Sequence, residues 1–336
     1  YHTERRHKSK RARKAHTAMT PFDAWILGMV EGITEYLPVS STGHLIITSW
    51  LLGLDKTAAQ RDAVADFEII IQGGAILAVV GLYRARIGQM LRGIASKVGV
   101  HGLGSADRMS AGCTIARNVV IAFIPAAAIG FLAKDTVKAN LFNPASVIGA
   151  LAVGGVVMLA IAPWQSRKIA SERDASLRAA TTAAITGSSA DFTGAALARM
   201  NGMQALFIGL FQCLALWPGT SRSFVTILAG LLVGLGGVAA AEFSFLLGLV
   251  TLTAASGYSA LKIVKAHHAS EFLEQIGGWL PLVCGLLVAW ASAALAIDFL
   301  VRYLGRHTLA LFGWWRLAVA GIVLVVAWQF GLTITP

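Results

Sequence analysis

The sequence predicts an all-α integral membrane protein arranged as an inverted-topology repeat, with about six transmembrane helices and two re-entrant helix pairs. Three observations lead there. Of the 336 residues, 56% are hydrophobic and 13% charged, with a mean hydropathy of +0.67; soluble domains carry about 25% charged residues. Six apolar stretches are long enough to cross a bilayer, which takes roughly 20 residues. Two more apolar stretches are interrupted midway by a polar break that contains proline.

Residues 1–20 open the chain as a basic arm. Seven of its Lys and Arg residues fall between Arg5 and Lys14, and it has neither the apolar run nor the cleavage site of a signal peptide. It is expected to be disordered, either resting on anionic headgroups or simply solvated. The first interrupted stretch runs from Pro21 to about Leu54 and breaks at LPVSSTGH. Each of its halves is too short to cross a bilayer alone, so the chain must enter and return on one side. Such backbone is tolerated at membrane depth only inside protein or along a polar cavity.

Spans at 67–83, 117–133 and 145–163 follow, making 21–163 the first repeat. Residues 164–202 read as a cytoplasmic loop. The second repeat, 203–336, has an interrupted stretch from Met203 to about Leu235, broken at WPGTSRS, and spans at 239–261, 279–301 and 309–332. The two breaks can be aligned, Gly28 with Gly209, Glu31 with Gln212 and Pro38 with Pro218, with one gap. Three spans after each pair invert the second half relative to the first and place a site at the midplane. The 35 glycines fit close helix packing in a membrane. Cys113, Cys213 and Cys284 lie far apart and suggest no disulfide or metal framework.

Orientation follows from basic loops. Arg84, Arg86, Arg92, Lys97 and Arg108 cluster in 84–116, and Arg167, Lys168, Arg173, Arg178 and Arg199 in 164–202. With both loops cytoplasmic, the first pair opens outward and the second inward. The basic arm then falls outside, against the rule.

Glu31 and Glu35 are four apart on one helix face. An ionised group at membrane depth costs about 2.5–3.5 kcal/mol even on gentle scales, so the pair needs a proton, a cation or a basic partner. Mg²⁺ is commonly held by one or two carboxylates together with substrate phosphates. The break that follows adds Ser40, Ser41, Thr42 and His44, with free amides at the next helix start to receive an anion. His44 has the chemistry of a base, a proton donor or a nucleophile. Thr220, Ser221, Arg222 and Ser223 form the second break, and Arg222 suits bidentate binding of phosphate oxygens. Symmetry brings Arg222 opposite the glutamates, as phosphate ligand, as counter-ion, or as both. Together these groups point to a phosphorylated substrate with a lipid tail, which the protein either hydrolyses, transports, or only binds. Asp298 and Arg316 are expected to pair, and Trp314, Trp315 and Trp328 to anchor at the interface or pack.

EGITEYLPVSSTGHL, DFEIIIQGGAILAV, LALWPGTSRS and EFSFLLGLVTLTAASGY, in that order, resemble the BacA-type undecaprenyl pyrophosphate phosphatases. The resemblance implies a bacterial inner-membrane enzyme that hydrolyses undecaprenyl diphosphate to undecaprenyl phosphate and phosphate. That product is the lipid carrier for peptidoglycan, so roles in cell-wall synthesis and bacitracin tolerance are implied too. Also implied are dependence on Mg²⁺ or Ca²⁺, with Glu31 and Glu35 as ligands, and a site facing the outer side. Carried onto this chain, Glu31, Glu35, Ser41, His44 and Arg222 are the catalytic candidates. Ser40, Thr42, Thr220, Ser221 and Ser223 are the substrate-binding ones. Ser41 is favoured as nucleophile over an activated water, and a transporter or flippase of polyprenyl phosphate lipids is the alternative. The expected partners are a polyprenyl diphosphate lipid and the bilayer; a homodimer is compatible, and no nucleic acid is expected. This chain departs from the family twice, with Phe224 where Gly is usual and Gly73 where Leu is usual.

Overall fold

Local capping sets where the chain first becomes helical. The computed structural model describes residues 19–99, 106–141, 144–186, 192–265 and 269–329; residues 1–18 of the basic arm and the Trp328 side chain lie outside the described residues. Helix α1 (Pro21–Tyr36) begins with Pro21 and a reciprocal cap. The Asp23 amide donates to Thr20 Oγ1 at 3.1 Å and the Thr20 amide to Asp23 Oδ2 at 2.8 Å, which satisfies two otherwise free donors. The helix stops at Leu37, extended at φ −68° and ψ 144°, as a residue preceding proline prefers. The chain then returns through α2 (Ser41–Leu51).

Next come α3 (Ala58–Leu82), α4 (Arg84–Lys97), α5 (Ala106–Leu141), α6 (Pro144–Thr186) and α7 (Phe192–Arg199). The second broken pair repeats the logic of the first. Helix α8 (Gly202–Gln212) opens with a reciprocal cap between Asn201 and Gln204. A 3₁₀ turn at Cys213–Leu216 leads to Trp217, extended before Pro218, and α9 (Arg222–Leu232) carries the chain back. Helices α10 (Gly237–Lys265), α11 (Ala269–Gln275), α12 (Trp279–Leu304) and α13 (Ala310–Gln329) complete the chain.

Among the described residues, five helices are long and apolar enough to span a membrane: Gln60–Leu82, Met109–Ala133, Ala145–Arg173, Gly237–Leu261 and Trp279–Leu304. They coincide with five of the six expected spans, and α13 covers the sixth with a described apolar stretch of Ala310–Val326. The protein is an all-α, multi-pass membrane protein.

Two expectations need correction. The basic stretches 84–116 and 164–202 are largely helical rather than loops. Gly93 of α4 lies against the backbone of Gly112 and Cys113 in α5, a close approach that gives α4 a partner. Helix α6 has 43 residues, about 65 Å at 1.5 Å per residue, which is twice the ~30 Å hydrocarbon core. Asp298 and Arg316 do not pair either. Asp298 faces outward and binds Arg302, one turn on, at 2.8 Å, while Arg316 is wholly buried.

The broken pairs pack reciprocally. Helix α1 lies along α12 and α8 along α5, so each pair rests on the second span of the other half. The aligned glycines make both approaches: a Cβ on Gly28 would come within 2.5 Å of the Gly285 carbonyl oxygen, and one on Gly209 would overlap the Ala122 backbone. Gly28→Ala is therefore expected to destabilise the protein by about 1–3 kcal/mol, because backbone cannot yield as a flexible side chain does. A lower thermal midpoint in detergent checks this; an unchanged one would mean that α1 and α12 slide apart freely.

Candidate active site

The two breaks share an uncommon backbone. Ser40 (φ 76°, ψ 100°) and Ser221 (φ 72°, ψ 113°) are the residues just before α2 and α9. Both occupy positive φ, which costs a non-glycine residue about 1–3 kcal/mol and concentrates at functional sites. These turns aim the starts of α2 and α9 at one another. Between them lies a cavity of about 160 Å³. Its wall includes Glu35, Ser40, Ser41, Thr42, Ser221 and Arg222, and two helix N-termini with their partial positive charge therefore border it.

Glu35 is the hub. Its Oε2 accepts from Ser41 Oγ at 2.7 Å, and its Oε1 accepts from Arg222 Nη2 at 3.0 Å. Arg222 Nη1 donates to the Ser244 carbonyl at 3.0 Å, its guanidinium lies 5.5 Å from the Tyr36 ring, and its buried Nε has no partner. Gly248 makes room for that guanidinium, since a Cβ there would overlap it. The arrangement joins a hydroxyl, a carboxylate able to take its proton, and a cation with a donor to spare.

The other expected residues lie beside the cavity rather than in its wall. Glu31, one turn back along α1, is 1% exposed; Gln72 lies beside its carboxyl, and the Glu31 Oε1 stays unpartnered. Gln212, aligned with it, also has a buried, unpartnered Oε1. Ser223 is buried and donates to the Leu37 carbonyl at 3.0 Å, stitching one break to the other. Thr220 turns its carbonyl toward Arg316. His44 points away: Nδ1 meets the Ser40 carbonyl at 2.8 Å, and Nε2 accepts from Trp315 Nε1 at 2.8 Å. In this conformation both ring nitrogens of His44 are engaged.

Sequence reasoning missed Gln72, which lines the cavity and reaches Glu31, and Trp315, expected only to anchor or pack. A lone amide within the apolar span 67–83 was the available signal for Gln72. Phe224 is 3% exposed and lies in the core. Among the described residues no three His, Cys, Asp or Glu side chains gather as a metal cage. The orphaned Glu31 oxygen beside Glu35 still fits a hard divalent cation completed by substrate oxygens, the usual Mg²⁺ arrangement. Both Glu35 oxygens are already hydrogen-bonded, but each keeps a second lone pair.

Similarity to known proteins agrees with this chemistry. A Sorangium cellulosum protein named undecaprenyl-diphosphatase is 39% identical over 303 residues, covering 90% of this chain and 85% of that protein. One from Chromobacterium violaceum, undecaprenyl-diphosphatase 1, is 41% identical over 314 residues, covering 93% and 97%. A Pseudomonas aeruginosa undecaprenyl-diphosphatase is 38% identical, covering 93% and 95%. Residues 24–323 match the family described as "Bacitracin resistance protein BacA", and the chain belongs to that family.

Proposed function

We propose that this protein hydrolyses undecaprenyl diphosphate to undecaprenyl phosphate and inorganic phosphate, regenerating the lipid carrier for peptidoglycan. The observation that carries this reading is the Ser41–Glu35–Arg222 chain at the cavity wall. A carrier needs the arginine to hold a phosphate but gains little from a serine hydrogen-bonded to a carboxylate.

The prenyl tail stays in lipid and the diphosphate enters between the helix starts. Arg222 and the amides opening α2 and α9 draw in its oxygens. Ser41 Oγ attacks the terminal phosphorus as Glu35 takes its proton. The anhydride bond breaks, and undecaprenyl phosphate leaves with the bridging oxygen. Glu35 passes that proton to the bridging oxygen as it departs; again a carboxylate, it takes a proton from the water that attacks the phosphoserine and returns it to Ser41 Oγ as phosphate is released. Most of the acceleration comes from positioning and charge stabilisation, as is usual in phosphoryl transfer. Glu31 and Glu35 would hold Mg²⁺ or Ca²⁺, whose charge offsets that of the diphosphate. His44 reaches the reacting oxygens only after leaving Trp315.

The reciprocal packing of the broken pairs supports the inverted repeat. Arg86 binds Glu242 at 2.6 Å, and Lys168 donates to the Leu231 and Leu235 carbonyls at 2.8 and 2.7 Å. Both basic stretches therefore meet the chain between 231 and 242, at one end of the molecule. By the positive-inside rule that end is cytoplasmic, and the first pair opens to the outer side of the inner membrane.

The test is phosphate release from undecaprenyl diphosphate by purified protein in detergent, with Mg²⁺, with Ca²⁺ and with chelator. Release that chelator stops and either cation restores is expected. Glu31→Gln should raise the half-saturating cation concentration about tenfold or more, as loss of one charged ligand does. A folded protein that binds the lipid and releases no phosphate under any condition would favour the carrier instead.

A further inference from the structure

Arg316 is the largest fully buried side chain among the described residues, at 0% exposure, and the reaction above makes no use of it. Among the described residues no carboxylate pairs with it. Its guanidinium instead faces five backbone carbonyls. Nε donates to Leu151 at 3.2 Å; Nη2 to Ala150 at 2.9 Å and Gly219 at 2.8 Å; Nη1 to Thr220 at 3.0 Å and Pro38 at 3.5 Å. Those carbonyls belong to α6 and to both breaks. The side chain is seated for this purpose: Phe224 lies under it, 5.3 Å from the guanidinium carbon, and a Cβ on Gly154 would overlap it.

The placement matters because a broken helix at membrane depth frees carbonyls as well as amides. An anion site needs the amides toward the ligand and the carbonyls away from it. Arg316 lies outside the cavity wall, although Gly219 is part of it, and it occupies the Pro38, Gly219 and Thr220 carbonyls as acceptors. We infer that Arg316 is a positioning residue: it clamps the two breaks together and sorts their backbone polarity, leaving the helix starts free to bind the diphosphate. Phe224 forms part of its seat. This inference rests on the phosphatase reading for its kinetic arm only.

Two variants test it. Arg316→Lys keeps the charge but offers three donors in place of a planar five. Gly154→Ala leaves Arg316 in place, improves helix propensity and pushes the guanidinium off its carbonyls. Activity is counted per folded molecule, with folding followed by size exclusion and thermal unfolding. A merely structural role would lower the folded fraction and leave KM unchanged. For Arg316→Lys, KM should rise about threefold or more and kcat fall about tenfold or more, since misplacement near 1 Å costs about 100-fold. Gly154→Ala should move both the same way by a smaller factor. Equilibrium binding of farnesyl diphosphate, which needs no turnover, should weaken about threefold or more in Arg316→Lys. Unchanged KM and unchanged farnesyl diphosphate binding in both variants would overturn the inference. A wild type that releases no phosphate would instead count against the phosphatase reading, and the binding comparison alone would then decide the role of Arg316.

Discussion

Arg222→Ala is expected to lower phosphate release by about 1,000-fold or more, the range found when an arginine that stabilises transferring phosphoryl oxygens is removed. That corresponds to about 4 kcal/mol of lost transition-state stabilisation. Two effects combine. The diphosphate loses its cation, and Glu35 loses the partner that holds its Oε1 at 3.0 Å. The second effect also threatens folding, because an uncompensated buried carboxylate costs about 3–5 kcal/mol. The double variant Arg222→Ala, Glu35→Gln removes that charge and keeps the comparison interpretable if the single variant is unstable. Arg222→Lys should recover little, since one ammonium cannot serve Glu35, the Ser244 carbonyl and a phosphate oxygen in a single plane. A folded Arg222→Ala protein that kept a tenth of wild-type turnover would remove Arg222 from the reaction.

Ser41→Ala should abolish turnover to a similar extent while barely disturbing the fold. Ser41 is only partly buried, and its hydroxyl serves Glu35 alone among the described contacts. The loss is expected to exceed about 1,000-fold, as for other nucleophile deletions that leave charge stabilisation intact. Substrate affinity should change little, because Arg222 and the helix starts remain. Acid-quenched wild type should carry phosphate on Ser41, read by peptide mass spectrometry. Near-full turnover in Ser41→Ala, with no phosphoserine in the wild type, would transfer the attack to water and leave Glu35 as its base.

The two expected results separate what each side of the pair contributes. Arg222 acts on charge, and its removal weakens both binding and chemistry. Ser41 acts on bond formation, and its removal spares binding. Measuring KM beside kcat distinguishes them.

Much of this architecture was legible in the sequence. Pro38 and Pro218 fixed both breaks, because proline forces the preceding residue to be extended. The caps that open the helices leading to those breaks, Thr20 with Asp23 and Asn201 with Gln204, went unread, because both cap residues had been assigned to the flanking arm and loop. Alignment of the breaks was enough to place Arg222 opposite Glu35, 187 residues away. These are consequences of backbone sterics and of the length of apolar chain that a bilayer accepts, and both act locally.

Partnerships were decided elsewhere. Arg316 was expected to find Asp298, but Asp298 had a closer partner on its own helix and Arg316 met carbonyls of three segments distant in sequence. His44 turned to Trp315 rather than to Ser41, and Gln72 lies beside Glu31 from a helix read only as an apolar span. Residue types and spacing along one helix determine which groups are present and which face they share. Which group meets which depends on how separate helices pack, and a buried donor or acceptor takes whatever partner that packing brings within 3 Å or so, since leaving it unpaired in lipid-depth surroundings costs more than any local preference.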